Sequence, residues 1–147
     1  RQDMALAALL SGLALANGGL GAVHGFAAPL GAALGAAHGS ICAALLPVVM
    51  EANIRALRES DPEGPALAAY AEAAALLTGD ADAIPEDGAV FCARLARSLD
   101  IPGLGSLGMA LTHVTDLAAK ASRASSMRGN PVALDESTLA DILEAAL

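Results

Sequence analysis

The chain contains 147 residues and carries a formal net charge of −8. This length suits one domain with a single substantial core. Hydrophobic residues make up 55% and charged residues 16%, a balance that excludes an intrinsically disordered chain. The acidic balance and the aromatic content of only 2% argue against nucleic acid or an anionic membrane surface as a partner.

Helix-forming residues, alanine above all, dominate the chain, whereas β-branched and aromatic residues are few. This composition predicts an all-α fold, a helical bundle without strands. The first helix is predicted over 3–16, before the stop at Asn17-Gly18-Gly19, and the second over 20–34. A third is predicted over 38–57, with Pro47 expected to kink or divide it. Further helices are predicted over 66–78, 85–99, 112–122 and from 135 onwards.

Two of the later helices have a predicted buried stripe. In the helix over 85–99 this stripe is Phe91, Leu95 and Leu99. The final helix has apolar residues at i, i+3, i+4 and i+7, which are Leu139, Ile142, Leu143 and Ala146.

The first third of the chain is almost without charge, because residues 4–50 include no Asp, Glu, Lys or Arg. A secretory signal is disfavoured, since Asp3 offsets the lone Arg1 and the uncharged stretch continues far beyond the Ala14-Leu15-Ala16 cleavage-like site. Glycines and prolines interrupt the stretch and no basic cluster flanks it, so we expect no membrane span. We expect buried helices in a piece of a longer chain, with other polypeptide covering part of this apolar third.

The two cysteines, Cys42 and Cys92, form no zinc-binding or disulfide pattern. We expect buried free thiols in a reducing compartment, and hence a cytoplasmic protein. The segment from Gly103 to Gly108 matches G-x-G-x-x-G, but no predicted strand precedes it, so it is interpreted as a loop between helices. His113 is expected to be solvated.

His24 and His38 are the candidate metal ligands, because apart from Cys42 they are the only ionisable side chains in the uncharged stretch. In one continuous helix their fourteen-residue separation would span roughly 21 Å at about 1.5 Å per residue. A shared ion therefore requires the chain to reverse between them, which the breakers Pro29, Gly31 and Gly35 allow. The spacing permits a shared metal and equally permits two separate core histidines.

Three blocks, Asn17–Gly31, Ala37–Gly39 and Ala43–Asn53, closely resemble the helical C-terminal domain of the iron-containing (group III) alcohol dehydrogenases. The resemblance continues through Ile101-Pro102-Gly-Leu to Ser125–Pro131 and the final helix, and so covers essentially the whole chain. The resemblance implies a divalent ion, usually Fe²⁺ and sometimes Zn²⁺, held by one Asp and three His. His24 and His38 match the last two of these histidines.

By the same resemblance, the Asp and the first His lie upstream of Arg1, as does an α/β domain that binds NAD or NADP. The implied activity is hydride transfer between nicotinamide and a small alcohol or aldehyde, with the metal as Lewis acid. The expected partners are this substrate, the chain's own N-terminal domain and further copies in a homo-oligomer, while the chain alone is expected to be inactive. No catalytic residue of this chain beyond the two metal ligands is implied.

Two positions depart from the family pattern. Many relatives have a second His four residues after the first of these ligands, where this chain has Ala28, and often Pro before the second ligand, where it has Ala37. The alternative function is a non-catalytic helical module that packs its apolar third on a partner. The enzyme hypothesis predicts that the two imidazoles converge at a cleft, whereas the module predicts separate rings bonded to local backbone.

Overall fold

A computed structural model describes all 147 residues and has seven α-helices, two short 3₁₀ segments and no strand, which confirms the all-α prediction. The first three α-helices are α1 (Gln2–Gly18), α2 (Ala22–Leu34) and α3 (His38–Ser60). The next four are α4 (Pro65–Thr78), α5 (Pro85–Ser98), α6 (Val114–Ser122) and α7 (Glu136–Ala145). The 3₁₀ segments are Leu111–His113 and Ser125–Gly129.

The central helix α3 packs against α2, α4, α5 and α7. Pro47 lies inside this helix and does not divide it, contrary to one of the two outcomes expected for this residue. By length and composition α3 could cross a membrane, as could the bent pair of α1 and α2, but half of the apolar window of α3 is buried inside the fold. A core helix has the same properties, so they do not by themselves indicate a span.

The main core lies between α2, α3, α6 and α7. Its largest fully buried side chains include Phe26, Leu30, Leu45 and Leu117. The predicted stripe of α7 is confirmed, since all four of its residues are buried in this core. A second, smaller cluster joins α3 to α4 and α5 through Met50, Ile54, Leu57, Leu67 and Ala89.

The predicted stripe of α5 is wrong at two of its three positions, since Phe91 is half-buried but the two leucines are exposed. Leu95 is 46% and Leu99 62% exposed, whereas Gly88 and Ala89 are buried. A Cβ on Gly88 would lie 3.4 Å from the Cα of Ala74, so the two helices approach too closely for a large side chain. Small residues therefore form the buried face of α5, and its leucines lie outside the contact.

Helix α1 buries none of its residues, and no other helix packs extensively against it. Its axis makes an angle of 101° with that of α2. The exposed apolar side chains on it are Met4, Leu6, Leu9, Leu10, Leu13 and Leu15. A helix that is apolar on all sides is normally covered, and an isolated helix of this length is marginal in water.

Deleting residues 1–16 is therefore expected to change the free energy of unfolding by no more than about 0.5 kcal/mol, since no buried contact is lost. The deletion should also reduce self-association, because it removes six exposed large apolar side chains. Urea denaturation and sedimentation velocity would measure the two effects. Leu139→Ala, in the core, is the control and should cost about 2–5 kcal/mol. A comparable loss from the deletion would mean that α1 packs against the domain in solution.

Candidate metal centre

A cleft of about 560 Å³ opens between the start of α2, the first half of α3 and the segment after the second 3₁₀ turn. Its apolar wall comes mainly from α3, through Leu46, Val49 and Met50. No Asp or Glu lines it, and its ionisable side chains are His24, Cys42 and Tyr70. The side chains that could bind a ligand here are therefore imidazole, thiol, phenol and amide groups, with no carboxylate among them.

His24 lines this cleft, and the ring of His38, which is exposed and does not itself line the cleft, lies beside that of His24. The close approach of the two rings is what the enzyme hypothesis predicts. His24 lies in the first turn of α2 and His38 is the first residue of α3. The chain reverses between them because α2 ends at Gly35, whose φ of 64° lies in the left-handed region that glycine adopts without strain. The two ring centroids are 5.3 Å apart and the rings are inclined by 49°.

Cys42 completes a group of three donors. It follows His38 by one helical turn, and its Sγ lies 3.4 Å from Nε2 of His38. One donor atom from each of the three side chains lies within 4.8 Å of the other two. The thiol is half-buried and free, and burial raises its pKa. Composition alone predicts a buried thiol at this position, whereas its i, i+4 spacing from His38 is the sequence signal that places it in the site.

The inner end of the cleft is a network of amide side chains that the sequence analysis did not identify. Asn53, from α3, is only 2% exposed. Its Nδ2 donates to Oδ1 of Asn130 at 3.1 Å and to the Tyr70 hydroxyl at 3.0 Å, while Asn130 Nδ2 donates back to its Oδ1 at 2.7 Å. Burial raises the pKa of Tyr70, and the hydrogen bond from Asn53 opposes that shift.

The same network fixes the start of α2. The backbone N–H of Ala22 donates to Asn130 Oδ1 at 3.0 Å, which satisfies one of the open donors at this helix N-terminus. Asn130 Nδ2 also donates to the carbonyl of Val132 at 2.8 Å. The side chain of Asn130 thus connects α3, α2 and the segment after the second 3₁₀ turn. Its contact on α2, Ala22, lies two residues before His24.

The other singled-out residues lie outside the site. His113 is exposed, as expected, and its Nδ1 accepts a hydrogen bond from the N–H of Ala110. Cys92 packs against the second core cluster. The glycine-rich segment 103–108 is a turn against the end of α7, where Leu104 N–H donates to the Ala146 carbonyl. Ala28 is exposed and is not among the residues that line the cleft.

Comparisons with protein families, curated proteins and solved structures all find iron-containing alcohol dehydrogenases or related oxidoreductases. The whole chain, residues 1–147, matches the model of the Fe-containing alcohol dehydrogenase family, C-terminal. It is 31% identical over 150 residues to the probable alcohol dehydrogenase EutG of Salmonella typhimurium, covering 99% of this chain and 35% of that protein. It is 48% identical over 52 residues to the lactaldehyde reductase of Escherichia coli K12, covering 35% of this chain and 14% of that protein.

A solved structure of a 1,3-propanediol oxidoreductase superposes with a TM-score of 0.82 at 33% identity, over 98% of this chain and 37% of that one. The chain thus spans about a third of the length of this structure and of the relative from Salmonella. The match over every residue, together with the shared helical fold, shows that the chain belongs to the Fe-containing alcohol dehydrogenase family and corresponds to its C-terminal domain.

Proposed function

We propose that His24 and His38 hold a divalent ion, Fe²⁺ or Zn²⁺, in the metal-binding domain of an NAD(P)-dependent oxidoreductase that acts on a small alcohol or aldehyde. The observation that carries this proposal is the approach of the two rings from separate helices, 5.3 Å between centroids, beside a cleft that His24 lines. Neither ring bonds a backbone group, and the one hydrogen bond to either ring joins His38 to Cys42. The non-catalytic module predicts separate rings with backbone partners, so the geometry favours the enzyme.

The donor chemistry fits the proposed ion, because imidazole nitrogen binds both Fe²⁺ and Zn²⁺. When bound, the ion supplies Lewis-acid polarisation of the substrate oxygen while hydride passes to or from nicotinamide. His24 and His38 would orient that ion from one side of the cleft. The apolar wall of Leu46, Val49 and Met50 would contact the alkyl part of the substrate and exclude water from it.

The remaining parts of the proposal follow from family membership. The nucleotide is assigned to an N-terminal α/β domain outside this chain, and so are the carboxylate and the third imidazole of the metal site. The chain alone is therefore expected to bind no NAD(P) and to show no turnover. We further propose a cytoplasmic homo-oligomer, in line with the two free cysteines.

The test is a Zn²⁺ titration of the 147-residue chain by calorimetry. His24→Ala and His38→Ala should each weaken binding roughly tenfold or more, since each removes a direct ligand. The wild-type chain should bind more weakly than a complete four-ligand structural site, for which binding is worth about 10–16 kcal/mol. His113→Ala, at an exposed histidine outside the cleft, is the matched control and should leave affinity unchanged. Tight binding that survives His24→Ala would overturn the assignment.

A further inference from the structure

We propose that Cys42 is a further ligand of the ion held by His24 and His38, so that this chain supplies two nitrogens and one sulfur to the site, a donor set suited to Zn²⁺. The inference rests on the proposed function, since it assumes an ion between the two histidines. It adds a sulfur donor that the family's set of one Asp and three His does not contain.

The first support is distance. With Zn–N of about 2.0–2.1 Å and Zn–S of about 2.3 Å, a nitrogen and a sulfur at tetrahedral positions on one ion lie roughly 3.5 Å apart. The observed distance from His38 Nε2 to Cys42 Sγ is 3.4 Å. His24 contributes a nitrogen within 4.8 Å of Cys42 Sγ and of a ring nitrogen of His38. The distance between the sulfur and the nitrogen of His38 is thus the one that two ligands of a shared ion would have.

The second support is the helix that carries two of the donors. His38 and Cys42 are spaced i, i+4 on α3, so their side chains project from the same face one turn apart. Cys42 lines the cleft, and His38 beside it is exposed, so an ion can enter from solvent. Two of the three donors are thus held on one rigid helix, and only His24 comes from another.

The third support is ligand chemistry. Thiolate and imidazole together select Zn²⁺ and its analogue Co²⁺, whereas Mg²⁺ prefers oxygen donors. Binding replaces the S–H bond of Cys42 with a metal–sulfur bond and releases one proton to solvent. No oxidant or other reactant is needed. Cys92 provides an internal contrast, since it is also a half-buried free thiol but is no member of the three-donor group.

The test uses Co²⁺ as a spectroscopic probe with the wild-type chain and with Cys42→Ser and Cys92→Ser. Wild type and Cys92→Ser should develop visible d–d bands together with a near-ultraviolet sulfur-to-cobalt charge-transfer band. Cys42→Ser should lose the charge-transfer band. Its Zn²⁺ affinity should fall roughly 10- to 100-fold or more, because the loss of even an outer-shell partner costs that much.

A second measurement keeps the proposal testable if Cys42→Ser fails to fold. In the wild-type chain, Zn²⁺ should protect Cys42 from alkylation by iodoacetamide and leave the rate at Cys92 unchanged, as followed by peptide mass spectrometry. Co²⁺ binding that depends on both histidines but gives no charge-transfer band and no protection would overturn the role of Cys42 and leave the proposed function intact. Co²⁺ binding that is indifferent to both histidines would overturn the proposed function as well.

Discussion

Asn130→Ala is expected to lower the free energy of unfolding by about 3 kcal/mol. The substitution removes the acceptor of the Ala22 N–H and both amide contacts to Asn53. Asn53 is 2% exposed, so its carbonyl oxygen would remain buried without a donor. A buried polar group that loses its partner costs about 1–3 kcal/mol, and here a backbone donor at the start of α2 is freed as well. Urea denaturation followed by circular dichroism measures the loss.

Asn17→Ala is the matched control for this substitution. Asn17 also donates through Nδ2, but to the carbonyl of Leu13 on the exposed face of α1, where water can replace the bond. Its loss should cost no more than about 0.5 kcal/mol. Equal losses from the two substitutions would show that Asn130 contributes only a generic surface hydrogen bond. The position of His24 would then need another explanation than this network.

The helix boundaries were largely predictable because they depend on local chemistry. Gly35 and Gly79 each adopt the left-handed conformation directly after a helix, as glycine does without strain. At Pro47 the helix is not divided, although division was one of the two expected outcomes. The proline removes one hydrogen bond of α3, but the helix continues because it packs against α2, α4, α5 and α7 along its length. Tertiary contacts of this kind offset a local cost that the sequence pattern alone overstates.

The prediction for the buried face of α5 failed because it, too, left out tertiary contacts. The leucines of this helix suggested a buried stripe, yet the contact with α4 is formed by Gly88 against Ala74. Periodicity reports which positions are apolar, but it does not report how closely two backbones approach. The buried face of a helix with several small residues therefore depends on its neighbour.

In the candidate site, too, some residues could be predicted from the sequence and others could not. His24 and His38 were identifiable as candidates because no other ionisable side chain except Cys42 lies in residues 4–50. Their spacing left open whether the rings would meet, and the expectation that they share an ion came from the family resemblance. The place of Cys42 in the site could also have been predicted, from its i, i+4 spacing from His38. The pairing of Asn53 with Asn130 could not be predicted, because 77 residues separate them. Only the packed fold brings the two amides together, so that each donates to the other. A network of this kind has no local pattern in the sequence.

Gly129→Ala is expected to have the largest effect of any single methyl addition near the site, a loss on the order of 3 kcal/mol in the free energy of unfolding. A Cβ at this position would overlap the backbone carbonyl of Leu20. A backbone group cannot rotate away as a side chain can, so the segment between α1 and α2 would have to move. That movement would also pull Asn130, the next residue, from the N–H of Ala22.

Two glycines give graded controls for this argument. At Gly25 a Cβ would meet Cγ, Sδ and Cε of Met127, a flexible side chain and not backbone, so Gly25→Ala should cost less than Gly129→Ala. At Gly12, in α1, nothing lies within 4 Å, and Gly12→Ala should leave global unfolding unchanged because α1 is not packed against the core. Denaturation curves and the Zn²⁺ affinity of all three variants test the order. If Gly129→Ala matched wild type in stability and in Zn²⁺ affinity, the backbone at Leu20 could move without cost. The contact between Gly129 and Leu20 would then not position His24.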